Sequence, residues 1–262
     1  EEQSGSAMIP FGRKAAERFG YRPDCIYYIG PPPHWEKSYE DMVIANRAII
    51  RAEMVRTQRG LEDSPLDSRD VVFYVAGTKK PTVVNSMIAY AIQAGFELVG
   101  GNRFALCVVQ HPGEKAENPD EIELFAEEFA KRAAMLRSVP RAIAPGFLNA
   151  HRYKAADIVI ASGGPTETIT AAYARIPHVL YYESADTRKF LEKSGVEGGR
   201  WFVAELGGVH KVTPTSFMDG VRFVLSDSGK ASVRTAQEKN FPLPTTWATA
   251  PKIVDFIEAI VR

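Results

Sequence analysis

The chain has 262 residues, of which 45% are apolar and 24% charged, as in ordinary globular proteins of one large domain or two smaller ones. Thirty-two basic and thirty-two acidic residues give no net charge, which argues against nucleic acid as a partner, and no apolar run nears the ~18 residues of a membrane span. The two cysteines, Cys25 and Cys107, lie in apolar runs, so we expect free thiols and a reducing, cytoplasmic location.

The amino-terminal part divides into two predicted regions. Residues 1–30 form a polar tail followed by a helix, Ile9–Phe19, and a strand, Cys25–Gly30, whose continuation is blocked by three prolines. Residues 31–69 are predicted to be a linker that contains one long helix, Glu36–Arg59.

From residue 70 to residue 262, apolar strand-like runs alternate with amphipathic helical patterns, which is typical of an α/β protein with a doubly wound parallel sheet of the Rossmann-like kind. Between the predicted helix Thr82–Ala94 and the strand after it, Phe96–Val99 is expected to be a short strand or loop. The other predicted helices are Glu121–Leu136, Asn149–Ala155, Thr166–Ala174 and Pro251–Val261, the last expected to pack near residues 9–30. The predicted strands are Val71–Val75, Phe104–Val109, Ala142–Ala144, Asp157–Ala161 and His178–Tyr182.

A strand-to-helix turn rich in glycine follows the most apolar of these strands. Gly163 and Gly164 let the backbone approach a ligand, and the helix after them presents free N–H groups and a positive dipole end, which suits a phosphate without lysine or metal. Ser162, Thr166 and Thr168 add hydroxyl groups to this turn. A plain structural turn, with Thr166 near the N-cap, explains the same residues.

A second turn favours the ligand-binding interpretation. Gly77 and Thr78 follow another buried strand, so they are expected at the same carboxyl edge of the sheet, where open α/β sheets bind ligands. Gly163 and Gly164 are therefore predicted to face Gly77 and Thr78 across a pocket.

The run from Asp157 to Pro177 resembles the carboxyl-domain signature of GT-B glycosyltransferases, including lipid A disaccharide synthases, the peptidoglycan N-acetylglucosaminyl transferase and the split transferases of N-glycan assembly. Residues 9–31 resemble the end of the amino domain in lipid A disaccharide synthases. The resemblance implies the carboxyl half of a GT-B fold, with a UDP-sugar as substrate and its pyrophosphate at the glycine turn. It also implies that roughly 150 residues of an acceptor-binding amino domain lie elsewhere.

The resemblance also implies which residues bind the nucleotide-sugar. In these relatives a glutamate holds the ribose hydroxyls, whereas this sequence has Thr170 at that position and Glu167 as the nearest carboxylate. The loop before Asn149 corresponds to the backbone that cradles uracil, although a simple connection to the next helix is an equal interpretation. The implied set is Gly77, Thr78, Phe147, Leu148, Ser162, Gly163, Gly164, Pro165, Thr166, Glu167 and Thr170.

Three functions are consistent with these features. The first is an inverting, metal-independent glycosyltransferase whose general base comes from the amino domain or a partner subunit, so that this chain alone binds donor without turnover and no catalytic residue is assigned. The second is an epimerase acting on UDP-N-acetylglucosamine, because His111-Pro112 resembles a His-Pro in those enzymes, although a histidine that packs at a strand end explains it too. The third is a non-catalytic donor-binding subunit.

Other chemistry lacks its sequence pattern. There is no Walker loop, no metal-ligand spacing and no Gly-x-Ser-x-Gly motif, and no cofactor is expected besides the substrate. Glu183, Asp186, Arg188 and Lys189 are expected in a solvated loop after the last strong strand, where the relatives contact sugar hydroxyls. Membrane contact is expected only through the absent domain.

Overall fold

The structure, a computed structural model, describes residues 46–51, 71–78, 80–99, 104–109, 149–163, 165–193 and 195–241. Within these ranges five strands form one all-parallel sheet in the order β2-β1-β3-β4-β5. The strands are β1 Val71–Ala76, β2 Phe104–Val109, β3 Ile158–Ala161, β4 Val179–Tyr182 and β5 His210–Val212. The predicted α/β class with a Rossmann-like parallel sheet is confirmed.

Helices cover both faces of this sheet. Phe73 and Val75 belong to a buried cluster with α1 and α6, whereas Tyr74 and Ala76 belong to a second cluster with α2, α3 and α5. Successive strand residues point to opposite faces, so an apolar run such as β1 is buried on both sides. The helices are α1 Pro81–Val99, α2 Asn149–Ala155, α3 Pro165–Tyr173, α4 Ala185–Lys193, α5 Phe202–Glu205, α6 Phe217–Leu225 and α7 Asp227–Asn240. Residues 46–51 are also helical.

The end of α1 corrects the sequence-based expectation. The helix continues through Phe96 to Val99, where a strand or loop was predicted. Gly95 lies inside the helix and lets it approach β2, because a Cβ at Gly95 would lie 2.4 Å from the ring of Phe104. The ring of Phe96 packs edge-on against the same phenylalanine, at a centroid distance of 5.6 Å.

Several predictions fall partly or wholly outside the described residues. They include the first 45 residues, the helix Glu121–Leu136, the strand Ala142–Ala144 and the carboxyl-terminal helix with its predicted packing. Of the long helix Glu36–Arg59, residues 46–51 are described and are helical. No helix in the described ranges combines the length and the apolar character needed to cross a membrane.

Candidate functional site

The strand order changes direction between β1 and β3. The chain runs from β1 outward to β2 on one side, and from β3 through β4 to β5 on the other, while β1 and β3 are paired in parallel. Ligands of open α/β sheets bind at the carboxyl ends of two such strands. Gly77–Thr78 directly follows β1 and Ser162–Gly163 directly follows β3, so the structure brings the two predicted turns to this switch point.

The turn after β1 is held by its own threonine. The Thr78 hydroxyl accepts a hydrogen bond from the Lys80 amide at 3.1 Å, and α1 begins one residue later at Pro81. Gly77 and Thr78 are both partly exposed. This turn therefore leads directly into a helix whose amino end lies at the carboxyl edge of the sheet.

The turn after β3 needs glycine for its backbone conformation. Gly163 has φ +60°, in the left-handed region that other residues rarely adopt. Space is not the constraint, because a Cβ at Gly163 would meet Phe190 and Thr187 only at 3.7 Å. Pro165 then occupies the first helical position of α3, where its missing N–H costs no helical hydrogen bond. Gly164 and the Thr166 side chain lie outside the described part of the structure.

The hydroxyl groups around this turn are used inside the protein. The buried Ser162 hydroxyl donates to the Tyr182 carbonyl at 2.7 Å and lies 2.8 Å from the Thr187 hydroxyl. Thr168 is fully buried and accepts a hydrogen bond from the Trp201 indole at 2.7 Å, so the expectation that it offers a hydroxyl to a ligand is wrong.

Two further predicted ligand residues, Ser162 and Thr170, are also buried. The Ser162 hydroxyl has two partners within the protein, which secure the turn to β4 and α4. Direct contact of Ser162 or Thr170 with a ligand stays a prediction. So does contact of Phe147 and Leu148, which, like His111, lie outside the described residues.

A group of buried polar side chains lies on one face of the switch point. Burial raises the pKa of Tyr74 strongly, Cys107 and Glu167 raise it further, and a hydrogen bond with Arg152 opposes them. Burial likewise raises the pKa of Cys107 to about 12. Sequence patterns did not identify Arg152, because nothing local distinguishes a buried arginine from an exposed one at the end of a short helix.

Glu167 lies in the first turn of α3, next to the glycine turn. Burial raises the pKa of its carboxyl group, and its own backbone amide partly opposes that shift.

The segment after β4 is a helix rather than the expected solvated loop. Glu183 is 4% exposed, and the exposed Arg188 donates to its Oε1 from Nε at 2.9 Å and from Nη2 at 2.5 Å. Ser184 caps α4 by accepting from the Thr187 amide at 3.1 Å. The expectation is wrong for Glu183, which is buried and paired with Arg188 of the helix that follows it, whereas Asp186 and Lys189 are exposed as predicted.

The chain matches no protein-family model and no curated protein at a significant level. In the part of the chain that the structure describes, no cluster of three or more His, Cys, Asp or Glu side chains could hold a metal ion. The functional argument therefore depends on the geometry of the two turns and of the helices that follow them.

Proposed function

We propose that this chain is the nucleotide-sugar-binding half of a GT-B-type glycosyltransferase that acts on a UDP-sugar. The observation that supports it most directly is the left-handed glycine turn at Gly163, at the carboxyl end of β3 and next to the turn after β1. Each turn leads into a helix, α1 or α3, whose amino end lies at the same edge of the sheet. Such helix ends stabilise phosphate through unpaired N–H groups and the helix dipole.

The proposed reaction needs few groups from this half of the enzyme. An acceptor hydroxyl attacks the anomeric carbon, the bond from that carbon to the β-phosphate oxygen breaks, and its electron pair leaves with UDP. The hydroxyl proton passes to a base from the amino domain or a partner subunit. This chain would bind the donor and stabilise the charge on departing UDP with backbone amides, in place of a metal.

A pair of substitutions at Gly163 tests the phosphate site. Asparagine and aspartate tolerate the left-handed conformation better than other side chains, and they differ almost only in charge. Gly163→Asn measures the effect of adding a side chain to the turn. Gly163→Asp adds a negative charge that costs about 1–4 kcal/mol against a phosphate charge ~4 Å away. We expect UDP to bind Gly163→Asp at least about tenfold more weakly than Gly163→Asn, as measured by titration calorimetry.

Circular dichroism and urea unfolding of both variants are the folding controls. The two variants should be destabilised similarly, by about 1–2 kcal/mol each, because the strain belongs to the backbone conformation. Equal UDP affinities in two folded variants would contradict a phosphate at this turn, and the glycosyltransferase proposal would lose its main support.

A further inference from the structure

Tyr181 carries a buried hydroxyl group beside the glycine turn. The residue is 1% exposed and lies in β4, where it is paired in register with Ala161, two residues before Gly163. Its side chain is on the face of the sheet covered by α3 and α5. Among the buried side-chain polar atoms of the described residues, its hydroxyl oxygen is one of two without a hydrogen-bond partner.

The surroundings of this hydroxyl keep it protonated. Burial raises the pKa of Tyr181, and the Glu183 and Glu205 carboxylates raise it further, while the Gly163 backbone acts in the opposite direction. Gly163 follows Ala161, the register partner of Tyr181, by two residues, and Ala161 and Tyr181 belong to the same buried cluster, so the hydroxyl lies on the side of the sheet next to this turn. The hydroxyl is thus a donor that lacks an acceptor.

The nearby carboxylates already have cationic partners. Glu183 is bonded to Arg188, and Glu205 accepts from Lys211 at 2.6 Å. Among the described residues, the Tyr181 hydroxyl lacks such a partner, and it lies next to the turn that begins α3. A donor beside a helix amino terminus suits an anionic acceptor, because the hydrogen bond and the dipole act in the same direction.

We propose that Tyr181 is a phosphate-binding residue, whose hydroxyl donates to a phosphate oxygen of the ligand held at the Gly163 turn. The assignment rests on the proposed function, since it presumes that a nucleotide diphosphate occupies that turn. Because Tyr181 is buried in the unliganded protein, the proposal requires the turn to move when the ligand binds.

The test removes the hydroxyl alone, as Tyr181→Phe. The melting temperature of the unliganded variant should equal or exceed that of the unchanged protein, because no internal hydrogen bond is lost. Its affinity for UDP should fall by about tenfold, as expected for a hydrogen bond to a charged group. Tyr173→Phe is the matched control: it removes the hydroxyl of another buried tyrosine at the far end of α3 and should leave UDP affinity unchanged.

Each outcome decides between the inference and its alternatives. Unchanged UDP affinity in Tyr181→Phe overturns the inference while leaving the proposed function intact. A marked fall in the melting temperature of the unliganded variant also overturns it, since the hydroxyl would then have an internal partner. If the unchanged protein binds inorganic pyrophosphate but not UDP, and Tyr181→Phe weakens that binding, the phosphate role stands and the nucleotide proposal fails. Binding of neither ligand overturns both.

Discussion

His178 shows how its surroundings control the charge of one side chain in this domain. It directly precedes β4, and its Nε2 lies 2.8 Å from the Tyr153 carbonyl, which can only accept, so this nitrogen carries the proton of the neutral ring. Removal from water lowers the pKa of His178 to about 4, although the Tyr153 carbonyl and Asp157 act in the opposite direction. The folded domain therefore holds this histidine neutral at pH values where an exposed histidine is charged.

The pH dependence of stability follows from that shift. Between pH 6.5 and about 4 the unfolded chain binds a proton at His178 that the folded chain does not, so stability falls as the pH falls through this window. The slope is at most about 1.4 kcal/mol per pH unit, and the total loss is up to about 3 kcal/mol. Urea unfolding at a series of pH values measures it.

The control for this prediction is His178→Gln, whose amide can still donate to the Tyr153 carbonyl but cannot titrate. The variant should lose part of the pH dependence and keep the part due to His210, whose pKa burial also lowers. An identical pH dependence in the variant and the unchanged protein would show that His178 does not contribute.

Among the helical elements, the segment of residues 46–51 is attached to the amino edge of the sheet by one carboxylate. Asp157, just before β3, accepts from Arg47 and from Arg51 at 2.6 Å each, and from the Val72 amide at 2.8 Å. Burial alone would raise the pKa of Asp157, but these donors outweigh it and hold the pKa below its ordinary value. The same carboxylate thus joins the segment before the sheet to both central strands.

The two arginines of this segment should differ in their contribution to stability. The Arg47 side chain is 46% exposed and that of Arg51 is 8% exposed, with a further hydrogen bond to the Ala155 carbonyl. Arg47→Ala should cost about 0–1 kcal/mol, as exposed ion pairs do, whereas Arg51→Ala should cost about 3 kcal/mol because it leaves buried acceptors unpaired. Urea unfolding of the two variants makes the comparison, and equal costs would contradict the docking of this helix.

Local pattern was enough to locate the strands and the two turns. The apolar run Phe104–Val109 and the helix Asn149–Ala155 have the predicted bounds, and β1, β3, β4 and α3 differ from prediction by a single residue at one or both ends. The errors occur where a distant segment decides the structure. At Gly95 the deciding contact is the ring of Phe104, nine positions later, which allows α1 to continue beyond a glycine.

The same reason limits what the sequence could predict about the site. Strand-to-helix turns with glycine are local features, so their positions were predictable. The orientations of Thr168 and Ser162 are not local. They depend on contacts with Trp201 and Thr187, which lie 33 and 25 positions later in the chain. That the buried Tyr181 hydroxyl lacks a hydrogen-bond partner also could not be predicted, because β4 has only the pattern of a buried strand.

At the scale of the whole molecule, the strand order places both glycine turns at the centre of the sheet, so a ligand bound there affects the stability of the folded domain. Both glycine turns end central strands, and those strands belong to the two buried clusters that hold the domain together. A ligand that bridges the turns binds the folded domain and not the unfolded chain. It should therefore stabilise the whole domain rather than a single loop.

UDP is accordingly expected to raise the melting temperature of this chain. At about one hundred times its dissociation constant, a ligand adds about 2.7 kcal/mol of stability. For a protein of this size that corresponds to a shift of about 5–10 °C. Uridine monophosphate is the matched control: it lacks the second phosphate and should give a clearly smaller shift at the same concentration, because fewer charges meet the helix amino ends.

ADP and GDP test whether the base is recognised. Equal shifts with all three diphosphates would indicate a pyrophosphate site without uracil recognition, and no shift with any of them at millimolar concentration would contradict a nucleotide site at these turns.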